Sequence, residues 1–335
     1  MNKLKYYIKY LILWVRPLFL IVANLYLWWQ LRKKTSKHLA KHNITSNVPI
    51  KRRGRVYQYG DIVEIRVNQK RYLFSAASRA YTFDIIKFFD QYVDSVEGEI
   101  DENGFEVYDF SQVKLHKIKN DQRSLYYYLI PEMQAVDLDY LHFFKIRPGD
   151  FILDAGSFAG LTAARFAEKV GTHGRVICLE PDPFNYELLM RNIKHLKLSN
   201  VVAYPYALWN KTGEKLRFLA DRGTGSTLTP TPSRVNPSFI MVQTTSLLTL
   251  MQEGQIQKGF DLLKLDVEGA EYAIFSEIGE FFAQCKPRQI ILEVHPDAQG
   301  CAKPHFFVDI LRRYNYDTRM MVSGQDILVG GTLNS

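Results

Sequence analysis

The chain has 335 residues, room for about two domains at the usual ~150 residues each. Apolar residues make up 47% and charged residues 23%, which excludes a wholly disordered or collagen-like chain. Three cysteines exclude a disulfide scaffold and suit a reducing compartment, and no Cys/His cluster has structural-zinc spacing. The net charge of +8 is unevenly spread. Residues 1–55 hold 13 Lys/Arg and no acid, leaving 30 basic against 35 acidic residues in the remaining 280. The body is therefore mildly acidic, and no nucleic-acid partner is expected.

Residues 10–31, YLILWVRPLFLIVANLYLWWQL, reach the ~20 mostly apolar residues that a bilayer requires. Arg16, Pro17 and Asn24 interrupt the run, and Trp14, Trp28 and Trp29 stand near its ends, where interfacial aromatics belong. Lys3, Lys5 and Lys9 precede it, and a larger basic cluster from Arg32 to Arg55 follows. Residues 1–55 are expected to be a membrane-associated helix plus linker, either spanning membrane lipid or lying flat on it. The basic flank places the body on the cytoplasmic side. The sequons at Asn43 and Asn210 are then inert.

Residues 56–130 read as a small α+β module. A strand–turn–strand hairpin is expected over 56–75 around Asn68-Gln69, a helix over 80–93, and a strand near Val107–Phe110. From 131 to 335 strands and helices alternate. Strands are predicted at Phe151–Ala155, Arg175–Glu180, Val201–Tyr206, Leu262–Asp266 and Gln289–Val294, with helices at Leu161–Val170, Pro183–His195, Ala270–Ala283 and Pro304–Tyr314. Strands at Asp317–Val322 and Asp326–Gly330 close the list as an antiparallel edge pair. The fold class is α/β: a Rossmann-like, doubly wound, mainly parallel seven-stranded sheet, preceded by the module and the hydrophobic helix.

The first strand of this region runs into Asp154-Ala-Gly156-Ser157-Phe-Ala-Gly160, an acid followed by a glycine turn and a helix. Gly156 permits the turn, and Gly160 permits close approach of backbone to ligand. The next strand ends in Glu180-Pro-Asp182, where an acid can hold both ribose hydroxyls of a nucleotide. A pyrophosphate needs the compact G-x-G-x-x-G turn, but here the middle glycine is missing and Asp154 would repel it. S-adenosylmethionine (SAM) carries a sulfonium and an amino group instead of phosphate, and both tolerate the acid.

At these residues the chain resembles a class I SAM-dependent methyltransferase. The run Asp261-Leu-Leu-Lys264-Leu-Asp266-Val-Glu268-Gly269-Ala-Glu271 closely resembles the D-L-x-K-x-D-V-E-G-x-E signature of the FkbM family. Arg147-Pro148-Gly149-Asp150 and Ile291–His295 are similar to that family's neighbouring segments. The glycine loop differs from the family's more common Gly-Ala-Asn-x-Gly, and Leu247-Leu248 lacks its usual acid. The resemblance implies O-methylation of a hydroxyl, often on a sugar or natural product, with SAM as donor. It places Asp154, Gly156, Ser157 and Gly160 at the amino-acid end of SAM, Glu180 at its ribose, and Ala207 and Leu208 near its adenine.

Methyl transfer needs alignment and a base for the hydroxyl. Asp266, Glu268, Glu293 and His295 stand at the carboxyl ends of the fourth and fifth strands of this region, with His295 the better base by its ordinary pKa near neutrality. Asp266, Glu293 and His295 could gather round a divalent cation, but no metal ligand is assigned. Glu268 and Glu271 also suit a helix N-terminus. The Gly/Ser/Thr-rich stretch 221–230 reads as a lid or an ordinary loop. The leading expectation is an O-methyltransferase acting on a sugar, glycolipid precursor or natural product at the cytoplasmic membrane face. Two alternatives are a membrane-tethered scaffold without activity and a nicotinamide-dependent sugar dehydrogenase.

Overall fold

The computed structural model describes residues 55–78, 95–119, 121–131, 140–220, 239–297, 299–323 and 326–334. The N-terminal arm, the helix expected over 80–93 and the stretch 221–230 lie outside them. Among the described residues no helix is long and apolar enough to cross a membrane.

The chain opens with β1 (Arg55–Tyr59), β2 (Ile62–Val67), β3 (Lys70–Ser75), β4 (Glu99–Ile100) and β5 (Glu106–Phe110), in the order β1-β2-β3-β5-β4. The β2–β3 hairpin turns at Asn68-Gln69 as expected, with Asn68 at φ 55°, a conformation that asparagine tolerates. A further hairpin precedes it at Gly60-Asp61. Glu64, buried on β2, is held by Arg66 at 2.5 Å and Arg71 at 2.7 Å. Then β6 (Lys114–Lys117) and β7 (Ser124–Tyr127) form a separate hairpin.

The larger sheet follows. In chain order come β8 (Phe151–Ala155), α1 (Leu161–Val170), β9 (Arg175–Leu179), α2 (Pro183–His195), β10 (Val201–Tyr204), β11 (Ala207–Leu208), β12 (Lys215–Leu219), β13 (Phe239–Thr245) and α3 (Leu247–Gln252). After them come β14 (Leu262–Leu265), α4 (Glu271–Ser276), α5 (Ile278–Gln284), β15 (Gln289–Glu293), α6 (Pro304–Arg313), β16 (Tyr316–Ser323) and β17 (Asp326–Leu333). Seven strands form one sheet in the order β10-β9-β8-β14-β15-β17-β16. The first five run parallel, and β17 and β16 return antiparallel at the edge. Strands β8 and β14 are buried along their whole length, the near-continuous apolar pattern of parallel strands covered on both faces.

Two readings are corrected. The helix expected over Ala270–Ala283 is broken at Glu277, which leaves helical geometry at φ −114° and ψ 8°. Beyond the break Gly279 passes so close to the Tyr314 hydroxyl that a Cβ would stand 2.6 Å from it. The stretch between the third and fourth strands of the larger sheet also forms a three-stranded sheet, β11-β13-β12, for which no strand was expected. Its strand β11 has only two residues, too short to carry an alternation signal.

The small N-terminal sheet and the larger one share a core in which Tyr72, Phe74 and Phe110 join Ile152, Phe166 and Leu189. The β7 strand is clamped to α2 through Asn192, whose Oδ1 accepts from the Tyr126 N–H at 2.7 Å and whose Nδ2 donates to the Tyr126 carbonyl at 3.0 Å. The Tyr128 hydroxyl donates to Asn185 at 2.7 Å. The Tyr127 and Tyr128 rings thereby lie 6.0 Å from the ring of Phe158, inside the glycine loop.

Gly156 is where that loop passes the end of β14. Its φ is 80°, and a Cβ there would stand 1.7 Å from the carbonyl oxygen of Asp266. Gly156→Ala is expected to cost about 2–5 kcal/mol, the left-handed conformation and the backbone clash adding together. Urea unfolding measures it; a midpoint equal to wild type would show that the two strand ends can separate freely.

Candidate functional site

Open parallel sheets bind ligands beyond the carboxyl ends of their strands, where the connection direction reverses. Here that point lies between β8 and β14. Asp154, Glu180, Asp266 and Glu293 stand at strand ends along this edge, whereas Ala207 and Leu208 lie in the separate sheet β11-β13-β12.

At the end of β8, Asp154 is fully buried. Its Oδ1 lies 3.2 Å from the Lys264 ammonium, which stands on β14 at the paired register position. Burial pushes the Asp154 carboxyl up, against the pull of Lys264. Lys264 also donates to the Gly156 carbonyl at 2.8 Å and lies 3.3 Å from Asp266. It is a buried cation between two acids, and burial, which alone would discharge it, is outweighed by those acids, so its pKa is raised. Sequence reasoning assigned Lys264 no role. The available signal was a lysine inside an apolar strand, which demands a buried acid nearby.

The glycine loop is held by its own bonds. The Ser157 hydroxyl donates to the Asp154 carbonyl at 2.8 Å. Phe158 sits at φ 46°, unusual for a bulky residue. Its N–H donates to Glu180 Oε2 at 2.8 Å, while the Asp182 N–H donates to Glu180 Oε1 at 2.9 Å. Glu180 is thus tied to the loop, and each carboxylate oxygen keeps acceptor capacity. Burial pushes its carboxyl up to about 8, against those two backbone donors and with help from Asp182. The close approach at Gly160 is to protein: a Cβ there would stand 2.7 Å from Leu189 Cδ1 on α2. Ala207 and Leu208 form β11 with both side chains buried, which leaves their backbone as what they can offer a ligand.

The β14 and β15 ends converge on one imidazole. His295 Nδ1–H donates to Glu271 Oε1 at 2.9 Å. Its Nε2 lies 3.4 Å from Glu293 and 3.7 Å from both Asp266 and Glu268. Glu271 is fully buried and also accepts from the N–H groups of Val267 at 3.0 Å and Gly269 at 2.8 Å. It therefore locks the turn in which Glu268 takes φ 53°. Tyr140, which sequence reasoning missed, donates its hydroxyl to Glu293 Oε2 at 2.8 Å. One ligand atom each of Asp266, Glu268 and His295 lies within 4.8 Å of the others.

The electrostatics reverse the role first expected of His295. Burial acts to discharge it, but Glu268, Glu271 and Glu293 outweigh burial and raise its pKa well above the ordinary value. An imidazolium cannot accept a proton, so with the cluster as it stands His295 is a charge partner, and Asp266 and Glu293 are the carboxylates placed to accept one. Burial pushes Asp266 up to about 6 and Glu268 up to about 8. For Glu293 burial is outweighed by His295, Tyr140 and Lys264, and its pKa is lowered.

Residues 154–318 match the model described as Methyltransferase FkbM domain, and residues 93–205 that of Protein-L-isoaspartate(D-aspartate) O-methyltransferase. No curated protein matches the chain in sequence. Among solved structures, a SAM-dependent methyltransferase from Aquifex aeolicus aligns at 13% identity and TM-score 0.37, covering 61% of this chain and 94% of that one. Precorrin-6y C5,15-methyltransferase from Geobacter metallireducens aligns at 13% and 0.40, covering 65% and 97%. Aeropyrum pernix fibrillarin, solved with natively bound S-adenosyl-L-methionine, aligns at 10% and 0.39, covering 84% and 100%. The sheet order and the match over 154–318 carry the assignment: this part of the chain is an FkbM-type, SAM-dependent methyltransferase domain.

Proposed function

We propose that the chain transfers a methyl group from SAM to a hydroxyl of a sugar, glycolipid precursor or natural product. The observation that carries this reading is the edge of the sheet itself. Glu180, bound to the glycine loop, and the Asp266 cluster stand on either side of the β8–β14 switch point. The donor set fits SAM at Glu180, which retains acceptor capacity for ribose hydroxyls, while Asp154, buried against Lys264, supports the loop from beneath. When bound, SAM supplies an activated methyl group on a sulfonium. The chain's own residues then have two tasks. The loop and Glu180 hold the donor in line, and orientation of this kind contributes up to ~7–11 kcal/mol. The carboxylates of the β14 and β15 ends take the proton that the acceptor hydroxyl loses as its oxygen bonds to carbon.

The acceptor class rests on the family resemblance, and the place of action on the N-terminal arm. Residues 10–31, with their basic flanks, would bring the domain to the cytoplasmic membrane face and so to lipid-linked acceptors.

Calorimetric titration of S-adenosylhomocysteine into the full chain tests the donor site. Glu180→Ala is expected to weaken binding about 10–100-fold, since it removes two hydrogen bonds that contribute about 0.5–1.5 kcal/mol each. Glu180→Gln, which keeps one acceptor oxygen, should lose less. Undiminished binding in Glu180→Ala would overturn this assignment of the ribose site.

A further inference from the structure

We propose that Asp266, Glu268 and His295 bind one divalent cation. Its role, drawing acceptor oxygens to the end of β14, rests on the methyl-transfer reading; the binding site itself does not. Ligand atoms ~2.1 Å from a shared ion stand ~3.0–3.4 Å apart in octahedral or tetrahedral arrangements. His295 Nε2 lies 3.7 Å from both Asp266 Oδ1 and Glu268 Oε1. That is too long for hydrogen bonds, which run ~2.7–3.2 Å, and within a small contraction of ligand spacing.

The second observation is how the imidazole is held. A metal-ligating histidine donates its other N–H to a carboxylate or carbonyl, which fixes the ring and its tautomer. His295 does this through Nδ1, to the fully buried Glu271 at 2.9 Å. Glu271 is itself fixed by the N–H groups of Val267 and Gly269. Nε2 is thereby held 3.7 Å from Asp266 and Glu268 and 3.4 Å from Glu293. The acids Asp266, Glu268, Glu271 and Glu293 surround one imidazole, and the nearby Lys264 is shared with Asp154. A cation among those carboxylates takes the place of the Nε2 proton, which binding releases. One nitrogen and two carboxylate ligands suit manganese, iron or zinc better than calcium. The set differs from the one the sequence suggested, with Glu268 in place of Glu293, whose Oε2 accepts from Tyr140.

The test is titration of Mn²⁺ alone into chelator-stripped full-length protein, followed by calorimetry and by loss of the free-ion electron paramagnetic resonance signal. One saturable site per chain is expected. Glu268→Gln should weaken it at least 10-fold, and so should Asp266→Asn, which guards against a folding defect in the first. Glu253→Gln, an exposed acid away from the cluster, should leave it unchanged. Absence of saturable binding in folded protein, or equal affinity in wild type and both cluster variants, overturns the proposal. S-adenosylhomocysteine binding on the same samples separates the two readings. If it persists while Mn²⁺ fails to bind, the cation site alone falls. If Mn²⁺ binds but the nucleoside does not, the donor assignment falls and the cation site stands.

Discussion

Lys264→Met is expected to destabilise the protein by about 3–5 kcal/mol, the cost of leaving a buried charge without its partner. Asp154 is fully buried, and the Lys264 ammonium lies 3.2 Å from its Oδ1. The same ammonium ties the Gly156 carbonyl at 2.8 Å, so its removal also loosens the glycine loop. The double variant Lys264→Met/Asp154→Asn removes both charges and should recover a large part of the loss, because replacing both members of a buried pair is far milder than removing one. Urea denaturation of the four proteins in this cycle gives the coupling directly. Additive effects would show that Asp154 and Lys264 do not depend on each other, and the account of the loop given above would fail.

Asp266→Asn is expected to lower kcat for methyl transfer by about 10²–10⁴-fold, the usual worth of a positioned proton acceptor, while S-adenosylhomocysteine affinity stays within a few-fold of wild type. Asp266 stands where β14 ends, 3.3 Å from Lys264 and 3.7 Å from His295 Nε2. It is the carboxylate that links the loop side of the edge to the acid cluster. The expected result separates chemistry from donor binding, since Glu180 and the glycine loop are untouched. Single-turnover methyl transfer with a hydroxylated acceptor measures it. An unchanged rate would remove Asp266 from the chemistry and leave Glu293 as the remaining acceptor.

The strand pattern of the larger sheet was legible because parallel strands buried on both faces are continuous apolar runs. Phe151–Ala155 and its four parallel companions needed no tertiary information beyond the right-handed crossover rule. The helices Leu161–Val170 and Pro183–His195 were equally legible, and in the structure the second is capped by Asp182, whose side chain accepts from the Phe184 N–H, with Pro183 in its first turn. The two-residue strand β11 and the break at Glu277 were not, because neither leaves a periodic signal.

For the site, the sequence alone determined which acids stand at strand ends. Asp154, Glu180, Asp266 and Glu293 each close an apolar run, and alternation of strands and helices sends all such ends to one edge. What only the tertiary structure decided is how those acids are charged and what they touch. Spacing along the chain carries no information on burial, and a pKa follows from burial and from partners distant in sequence. Lys264 became the partner of Asp154 through register between β8 and β14. His295, a base by its ordinary pKa, became a cation because three strand-end and turn carboxylates and the buried Glu271 close around it.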